Sequence, residues 1–123
     1  MAFAKDFEEL KIWQQSRELA NLIYNAFQQC RDFEFRNQIQ SACISVMNNI
    51  AEGFERRTKK DFAHFLDLSK GSSGEVRSML YLAEDRNYLP AAQANDLRTR
   101  YAQLSLSTGA LASKLRSTTQ TGS

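Results

Sequence analysis

The residues of this sequence that are best suited to chemistry are carboxylates that interrupt helical stretches. Glu52 stands in "NNIAEGF" and Glu75 in "KGSSGEVR". Two neighbouring glutamates can form an acid–base pair or part of a metal site, and di-iron bundles combine such glutamates with histidine in Glu-x-x-His motifs. The only histidine is His64, which forms a single Asp-x-x-His pattern with Asp61. The spacing therefore predicts neither a metal centre nor a cofactor.

Other kinds of enzyme chemistry lack a motif as well. The sequence has no phosphate-binding loop and no nucleophile elbow. Cys30 and Cys43 are too few for a disulfide framework or a zinc site, and they indicate reduced thiols in a cytoplasmic protein. No stretch approaches the roughly 18 apolar residues of a membrane span, and the first ten residues do not resemble a signal peptide. We expect a cytoplasmic protein that is not an enzyme and has no membrane partner.

Four amphipathic segments must position the polar residues. In each segment apolar residues recur at spacings of three and four, which is typical of helices with one buried face. The predicted helices cover about 11–27, 34–54, 58–87 and 90–115. Short connections favour antiparallel neighbours, so we predict an all-α, up-down-up-down antiparallel four-helix bundle. The length of 123 residues fits one domain over 1–117, followed by a flexible polar tail over 118–123.

The same periodicity predicts which side chains form the core. The residues that we expect to be largely buried are Trp13, Ile23, Ile39, Val46, Ile50, Phe62, Phe65, Leu66, Leu80, Leu97, Leu104 and Leu111.

Polar residues on the second and third helices predict a seam between these two helices. Its members are expected to be Asn49 and Glu52 on one helix and Ser72 and Glu75 on the other. A buried polar group without a partner costs about 1–3 kcal/mol, so these side chains should satisfy one another. We expect a structural role, in which the seam fixes helix register as a buried asparagine does in coiled coils. The glycines at 71 and 74 predict a close approach to the third helix.

Two elements of the sequence are similar to a known family. The segment Asn49–Gly53 reads Asn-Ile-Ala-Glu-Gly, and Gly71, Ser72 and Glu75 form a Gly-Ser-x-x-Glu element. With these elements, residues 7–115 resemble the small bacterial proteins that are encoded in intervening sequences of 23S ribosomal RNA genes. The family usually has proline where Met47 stands, so the second helix should continue here without a kink.

The resemblance carries expectations about assembly and partners. It implies a left-handed four-helix bundle that assembles as a homopentamer. It also implies kinship with the accessory variability proteins of diversity-generating retroelements, which are basic pentamers that bind nucleic acid and the reverse transcriptase of the retroelement. Many family members have arginines where Gln40 and Ser41 stand, so the second helix of this chain carries less positive charge.

Charge patterning gives a separate indication. In an up-down bundle, half of the 16 basic residues collect at the end that holds the connection between the second and third helices. They are Lys5, Lys11, Arg56, Arg57, Lys59, Lys60, Lys114 and Arg116, and they exceed the six acidic residues assigned to that end by two. Lys59 and Lys60 open a helix, where the dipole disfavours each cation by about 0.3–1 kcal/mol. The run of basic residues from 56 to 60 is either a solvated turn or a patch that contacts phosphates.

Two functions follow from these observations. In the first, an oligomeric accessory protein binds RNA or DNA and serves a reverse transcriptase. Its contacts to nucleic acid would come from Arg56, Arg57, Lys59, Lys60, Lys114 and Arg116. In the second, a four-helix bundle encoded in a ribosomal RNA intervening sequence is a structural or protein-interaction module without nucleic-acid binding. A steep dependence of binding on salt would favour the first function, because phosphate contacts release counterions.

Overall fold

A computed structural model describes the backbone of residues 4–122 and the side chains of residues 4–118. A short 3₁₀ turn, Phe7–Glu9, precedes the first of four helices. The helices are α1 (Lys11–Ala26), α2 (Phe33–Phe54), α3 (Lys59–Asp85) and α4 (Ala91–Gly122). Residues 4–122 contain no β-strand.

The helices pack as the predicted bundle. α3 lies between α2 and α4, and α1 completes the bundle by packing against α2 and α4. The prediction of an all-α four-helix bundle is therefore confirmed. α2 runs through Met47 as a continuous helix, as expected where a proline is missing. The predicted flexible tail over 118–123 falls mostly on side chains outside the described residues, and it stays a prediction.

Side chains at the helix ends define the boundaries. The hydroxyl of Thr58 accepts a hydrogen bond from the backbone N–H of Asp61 at 3.0 Å and caps α3. Asp32 caps α2 by accepting from the N–H of Phe35 at 3.1 Å. α3 ends at Asp85, about two residues earlier than predicted, because Asn87 adopts a left-handed conformation (φ 60°) that asparagine tolerates.

The core contains most of the predicted residues. The buried ones are Ile23, Ile39, Val46, Ile50, Phe62, Leu66, Leu80, Leu97 and Leu104. Trp13, Phe65 and Leu111 are only half-buried in the single chain. Trp13 packs its ring against Phe7 of the 3₁₀ turn, with 5.1 Å between ring centroids, so it covers the base of α1 and does not enter the bundle interior.

Candidate nucleic-acid interface and polar seam

The backbone of α2 comes very close to α3 at Gly53. A Cβ atom at this position would lie 2.7 Å from Cβ of Phe65 and 3.2 Å from the carbonyl oxygen of Phe62. Around Gly71 and Gly74 of α3, by contrast, no described atom apart from the adjacent residues and backbone of the same helix lies within 4 Å of such a Cβ. Within one chain, the close approach predicted at the α3 glycines is therefore wrong. It occurs instead at the glycine of the Asn-Ile-Ala-Glu-Gly element.

A polar seam does run between α2 and α3. The hydroxyls of Ser45 and Ser72 are 2.8 Å apart and hydrogen-bond across the two helices. Asn49 donates to the backbone carbonyl of Ser45 at 2.9 Å and to its hydroxyl at 3.0 Å. Ser69 donates to the carbonyl oxygen of Val46 at 2.8 Å in the buried interior. Ser45, Asn49, Ser69 and Ser72 together form the polar seam.

The two glutamates that were predicted in the seam lie outside it. Glu52 pairs with Arg56 of its own helix at 2.8 Å, and both side chains are about half exposed. Glu75 is exposed, and none of the described hydrogen bonds involves it. A carboxylate pays a large desolvation cost on burial, whereas a serine hydroxyl or an amide pays much less. This difference explains why uncharged groups form the seam in the single chain. Any contribution of the glutamates in an assembly stays a prediction.

Two members of the polar seam were missed at the sequence level. Ser45 lies one helical turn before Asn49, and Ser69 lies three residues before Ser72. Both positions share a helix face with residues that had been identified. The i, i+3 and i, i+4 spacing could have indicated that Ser45 and Ser69 belong to the polar seam. Serine is too common in helices, however, to be assigned to a seam unless its hydrogen-bond partner is known.

The end of the bundle that holds the connection between α2 and α3 carries the eight basic residues and is called the cationic end. At this end an arginine and an aromatic ring pack together. The guanidinium of Arg56 lies over the ring of Phe65, with 4.6 Å from its central carbon to the ring centroid. His64 contacts the edge of the same ring at 5.7 Å between centroids. The Cβ atom of Phe65 lies where a side chain at Gly53 would begin, so the glycine allows the part of α3 that carries this ring to approach α2.

The six predicted nucleic-acid-binding residues divide into two groups. Arg56 is paired with Glu52, and Arg116 forms a bidentate ion pair with Asp67 whose hydrogen bonds raise the pKa of the Arg116 guanidinium. The remaining four are Arg57, Lys59, Lys60 and Lys114. These four side chains are exposed, and none of them forms an ion pair with another described residue.

The contact between Arg116 and Asp67 corrects the charge count at this end. Asp67 had not been assigned there, because it lies more than two turns after the start of α3. α4 returns antiparallel to α3 and brings Arg116 against it. The excess of cations over acids at this end falls from two to one per chain. The positive charge is consequently concentrated on the turn between α2 and α3.

Buried titratable groups are kept protonated. Burial raises the pKa of the Cys43 thiol to about 11, and Cys30 is also a free thiol. Burial likewise raises the pKa of Tyr101, whose side chain is fully enclosed by the core. A protonated thiol is a poor nucleophile, so Cys43, like Tyr101, fits a role in packing. Among residues 4–118, no cluster of three or more histidine, cysteine, aspartate or glutamate side chains is arranged to hold a metal ion.

Two open grooves lie elsewhere, between α1 and α4. Their volumes are about 270 and 400 Å³, and the ion pair of Glu18 with Arg100, 3.6 Å long, borders both. Leu19 and Leu104 line one groove, and Leu22 lines the other. Neither groove includes a residue of the cationic end or of the polar seam. None of the described helices has the length and apolar character that crossing a membrane requires.

The architecture and the site together define a small α-helical bundle protein with an uncharged polar seam and a cationic turn. Residues 8–109 match the model of the 23S rRNA-intervening sequence proteins, and the chain belongs to this family. The resemblance drawn from the Asn-Ile-Ala-Glu-Gly and Gly-Ser-x-x-Glu elements is thereby confirmed at the level of the family.

A solved structure supports the same fold. It is the crystal structure of a protein of unknown function from the S23 ribosomal protein family of Bacteroides thetaiotaomicron. The two chains superpose with a TM-score of 0.77 at 19% sequence identity, and the match covers 82% of this chain and 97% of the other. At this identity the likeness concerns the fold alone. No curated protein matches the sequence significantly. The kinship with retroelement accessory proteins stays a prediction.

Proposed function

We propose that this protein is a non-enzymatic, homo-oligomeric accessory protein that binds RNA or DNA through its cationic end. The observation that carries the proposal is the turn between α2 and α3, where Arg57, Lys59 and Lys60 are exposed and form no ion pair with a described residue. Lys59 and Lys60 are the first two residues of α3, where the helix dipole disfavours cations. Phosphate groups would compensate this unfavourable placement, because they supply the negative charge that a helix N-terminus prefers.

Assembly strengthens the proposal, because one chain offers only a small excess of positive charge. In a pentamer, five copies of the turn contact one polyanion, and the linked contacts raise the overall affinity. Large apolar side chains are exposed on the single chain, and an assembly that covers them would remove apolar surface from water. They are Tyr24, Phe33, Ile44, Leu68, Tyr81, Leu82 and Leu106. Leu106 is the most exposed of them at 76%.

A reverse transcriptase is the protein partner in this proposal. The support comes from the resemblance to accessory variability proteins, and the expected compartment is the cytoplasm. Co-purification with a reverse transcriptase encoded beside the gene would test the partner, and sedimentation of the purified protein would test the pentamer. A monomer at micromolar concentration would contradict the multivalent part of the proposal.

The nucleic-acid contact is tested by changing the cationic turn. Arg56, Arg57, Lys59 and Lys60 are all replaced by glutamine, and binding of structured RNA is titrated at several salt concentrations. We expect weaker binding, with the slope of log affinity against log salt reduced by about one for each residue that contacts a phosphate. The reduction arises because fewer counterions are released on binding.

A matched control separates the location of the charge from its total. Replacing Arg31, Lys70, Arg77 and Arg86 by glutamine removes the same charge from exposed positions away from the turn. This control should keep most of the affinity and the slope of the wild type. Equal losses in the two variants would refute a localised interface. If the wild type remains oligomeric but binds no RNA even at low salt, the nucleic-acid function is wrong and the chain is a protein-interaction module.

A further inference from the structure

The arginine at the cationic turn is held differently from its neighbours. Arg56 is fixed from two sides, by Glu52 at 2.8 Å and by the ring of Phe65 at 4.6 Å. Its side chain nevertheless remains 45% exposed. The next residue, Arg57, is exposed and contacts neither a carboxylate nor a ring among the described residues. Arg56 therefore presents an ordered guanidinium at the surface, while Arg57 presents a free charge.

Burial distinguishes this arrangement from another arginine–aromatic pair of the fold. Arg98 lies over Tyr81 at 4.1 Å, but its side chain is only 12% exposed. Arg98 also binds the carboxylate of Glu84 at 3.0 Å and the backbone carbonyl of Leu80, so its guanidinium is used within the protein. The guanidinium of Arg56 is half open to solvent and borders exposed cations. These properties suit a group that receives a ligand.

We propose that Arg56, supported by Phe65, is a stacking platform for an unpaired base of single-stranded RNA or DNA. The base lies on the exposed side of the guanidinium, and Arg57, Lys59 and Lys60 contact the flanking phosphates. This inference rests on the proposed function and adds to it the form of the nucleic acid. Single-stranded binders combine a cationic surface with planar groups on which bases stack, and the planar guanidinium of arginine is one such group.

The chemistry of the platform predicts its selectivity. A base inside a duplex has both faces covered by its neighbours, so the platform does not reach it without unstacking. Stacking is largely independent of base identity, since every base has a π-face. The protein should therefore prefer single-stranded over double-stranded substrates of equal phosphate number, with little sequence preference. The planar shape of the guanidinium matters here, and a lysine ammonium would supply only a charge.

The experiment compares two charge-conserving variants on two probes. The variants are Arg56→Lys and its matched control Arg77→Lys, an exposed arginine of α3 away from the turn, and both variants keep the net charge. The probes are a 20-nucleotide oligothymidylate and an abasic oligonucleotide with the same number of phosphates. Affinities are measured by fluorescence anisotropy at fixed salt, and circular dichroism melting confirms that both variants fold.

We expect the loss of affinity to depend on which arginine is changed and on whether the probe carries bases. Arg56→Lys should weaken binding of the oligothymidylate by about fivefold, the low end of what stacking of one base contributes. The same variant should change binding of the abasic probe by less than about twofold, because phosphate contacts are kept. Arg77→Lys should behave as the wild type on both probes, because it lies outside the proposed interface. Phe65→Leu should reproduce the selective loss of Arg56→Lys, since the arginine then lacks its support.

Other outcomes would overturn the platform and separate it from the proposed function. If Arg56→Lys binds the oligothymidylate as the wild type does, Arg56 is only a charge. If Arg56→Lys weakens both probes equally, its guanidinium contacts phosphates, and the proposed function stands without a platform. If the wild type binds neither probe and no structured RNA at low salt, the proposed function itself is wrong, and the platform fails with it.

Discussion

Replacing Gly53 by alanine tests the closest contact between α2 and α3. The new Cβ would lie 2.7 Å from Cβ of Phe65, 3.0 Å from a ring carbon of Phe62 and 3.2 Å from the carbonyl oxygen of Phe62. The first and the last of these atoms are fixed by the backbone of α3, so a change of side-chain rotamer does not relieve the contact. The two helices must move apart.

Two opposing effects determine how much Gly53→Ala changes the free energy of unfolding. Alanine is favoured over glycine in a helix interior by about 1 kcal/mol. Overpacking a tight interior contact costs about 1–3 kcal/mol, and the rigid backbone atoms place Gly53 toward the upper part of that range. We therefore expect Gly53→Ala to lower the free energy of unfolding by about 1–2 kcal/mol.

The chain supplies matched controls for this experiment in Gly71 and Gly74. Both are within α3, and a Cβ added at either position would have no described atom within 4 Å apart from the adjacent residues and backbone of the same helix. Alanine at each should raise the free energy of unfolding by up to about 1 kcal/mol through helix propensity alone. Urea unfolding of all three variants at one fixed protein concentration measures the difference, since the stability of an oligomer depends on concentration.

A stabilisation by Gly53→Ala equal to that of the controls would contradict this expectation. It would mean that α2 and α3 do not approach as closely as described. If Gly71→Ala or Gly74→Ala lowers stability and also weakens assembly, a second copy of the chain covers that part of α3. The glycine pair would then have the role in close approach that the sequence predicts, but between chains.

Two further changes test the core and the end of the bundle opposite the cationic turn. Leu104→Ala should lower the free energy of unfolding by about 2–3 kcal/mol. This is toward the low end for leucine, because the site borders an open groove. A loss below about 1 kcal/mol in urea unfolding would mean that α4 is misplaced. Tyr88 donates a hydrogen bond of 2.6 Å to Asp32, which lowers the pKa of that carboxyl. A lowered folded-state pKa adds stability that is present at neutral pH and is lost as the pH falls below the ordinary value of 3.8. The stability difference between wild type and Tyr88→Phe should therefore be full at pH 7 and shrink toward pH 2; a difference that does not vary with pH would show that the carboxylate is not involved.

Much of the fold could be predicted from the sequence because helix periodicity reports burial directly. The stripe that contains Val46 and Ile50 fixes the buried face of α2, and Thr58 with Asp61 marks the start of α3. Trp13 and Phe65 were expected in the core but are half-buried in one chain. Periodicity identifies which face of a helix is apolar. It does not show whether a side chain near a helix end is covered by another helix or only by a neighbouring ring.

The candidate site was less predictable, since it depends on pairings between distant segments. The bond from Ser45 to Ser72 joins residues 27 positions apart, and the pair of Arg116 with Asp67 joins residues 49 positions apart. The sequence placed both pairs on facing helices, but the choice of partner depends on helix rotation and on desolvation. Glu52 illustrates the second factor, because its carboxylate pairs with exposed Arg56 instead of entering the seam.

The interruption of the apolar pattern in α2 has one physical explanation that connects the fold to the proposed site. Asn49 is accommodated at the edge of the bundle because it bonds to Ser45, which in turn holds α3 through Ser72. One turn further, Gly53 allows the backbone of α2 to reach Phe65. Arg56 lies three residues after Gly53, just beyond the end of α2, and its guanidinium packs over the ring of Phe65. A larger residue at position 53 would push α3 away and remove the support beneath Arg56. The glycine therefore has two consequences, a close packing of α2 against α3 and an ordered arginine just after the end of α2. Gly53→Ala should consequently weaken the binding of single-stranded nucleic acid as well as lower the stability.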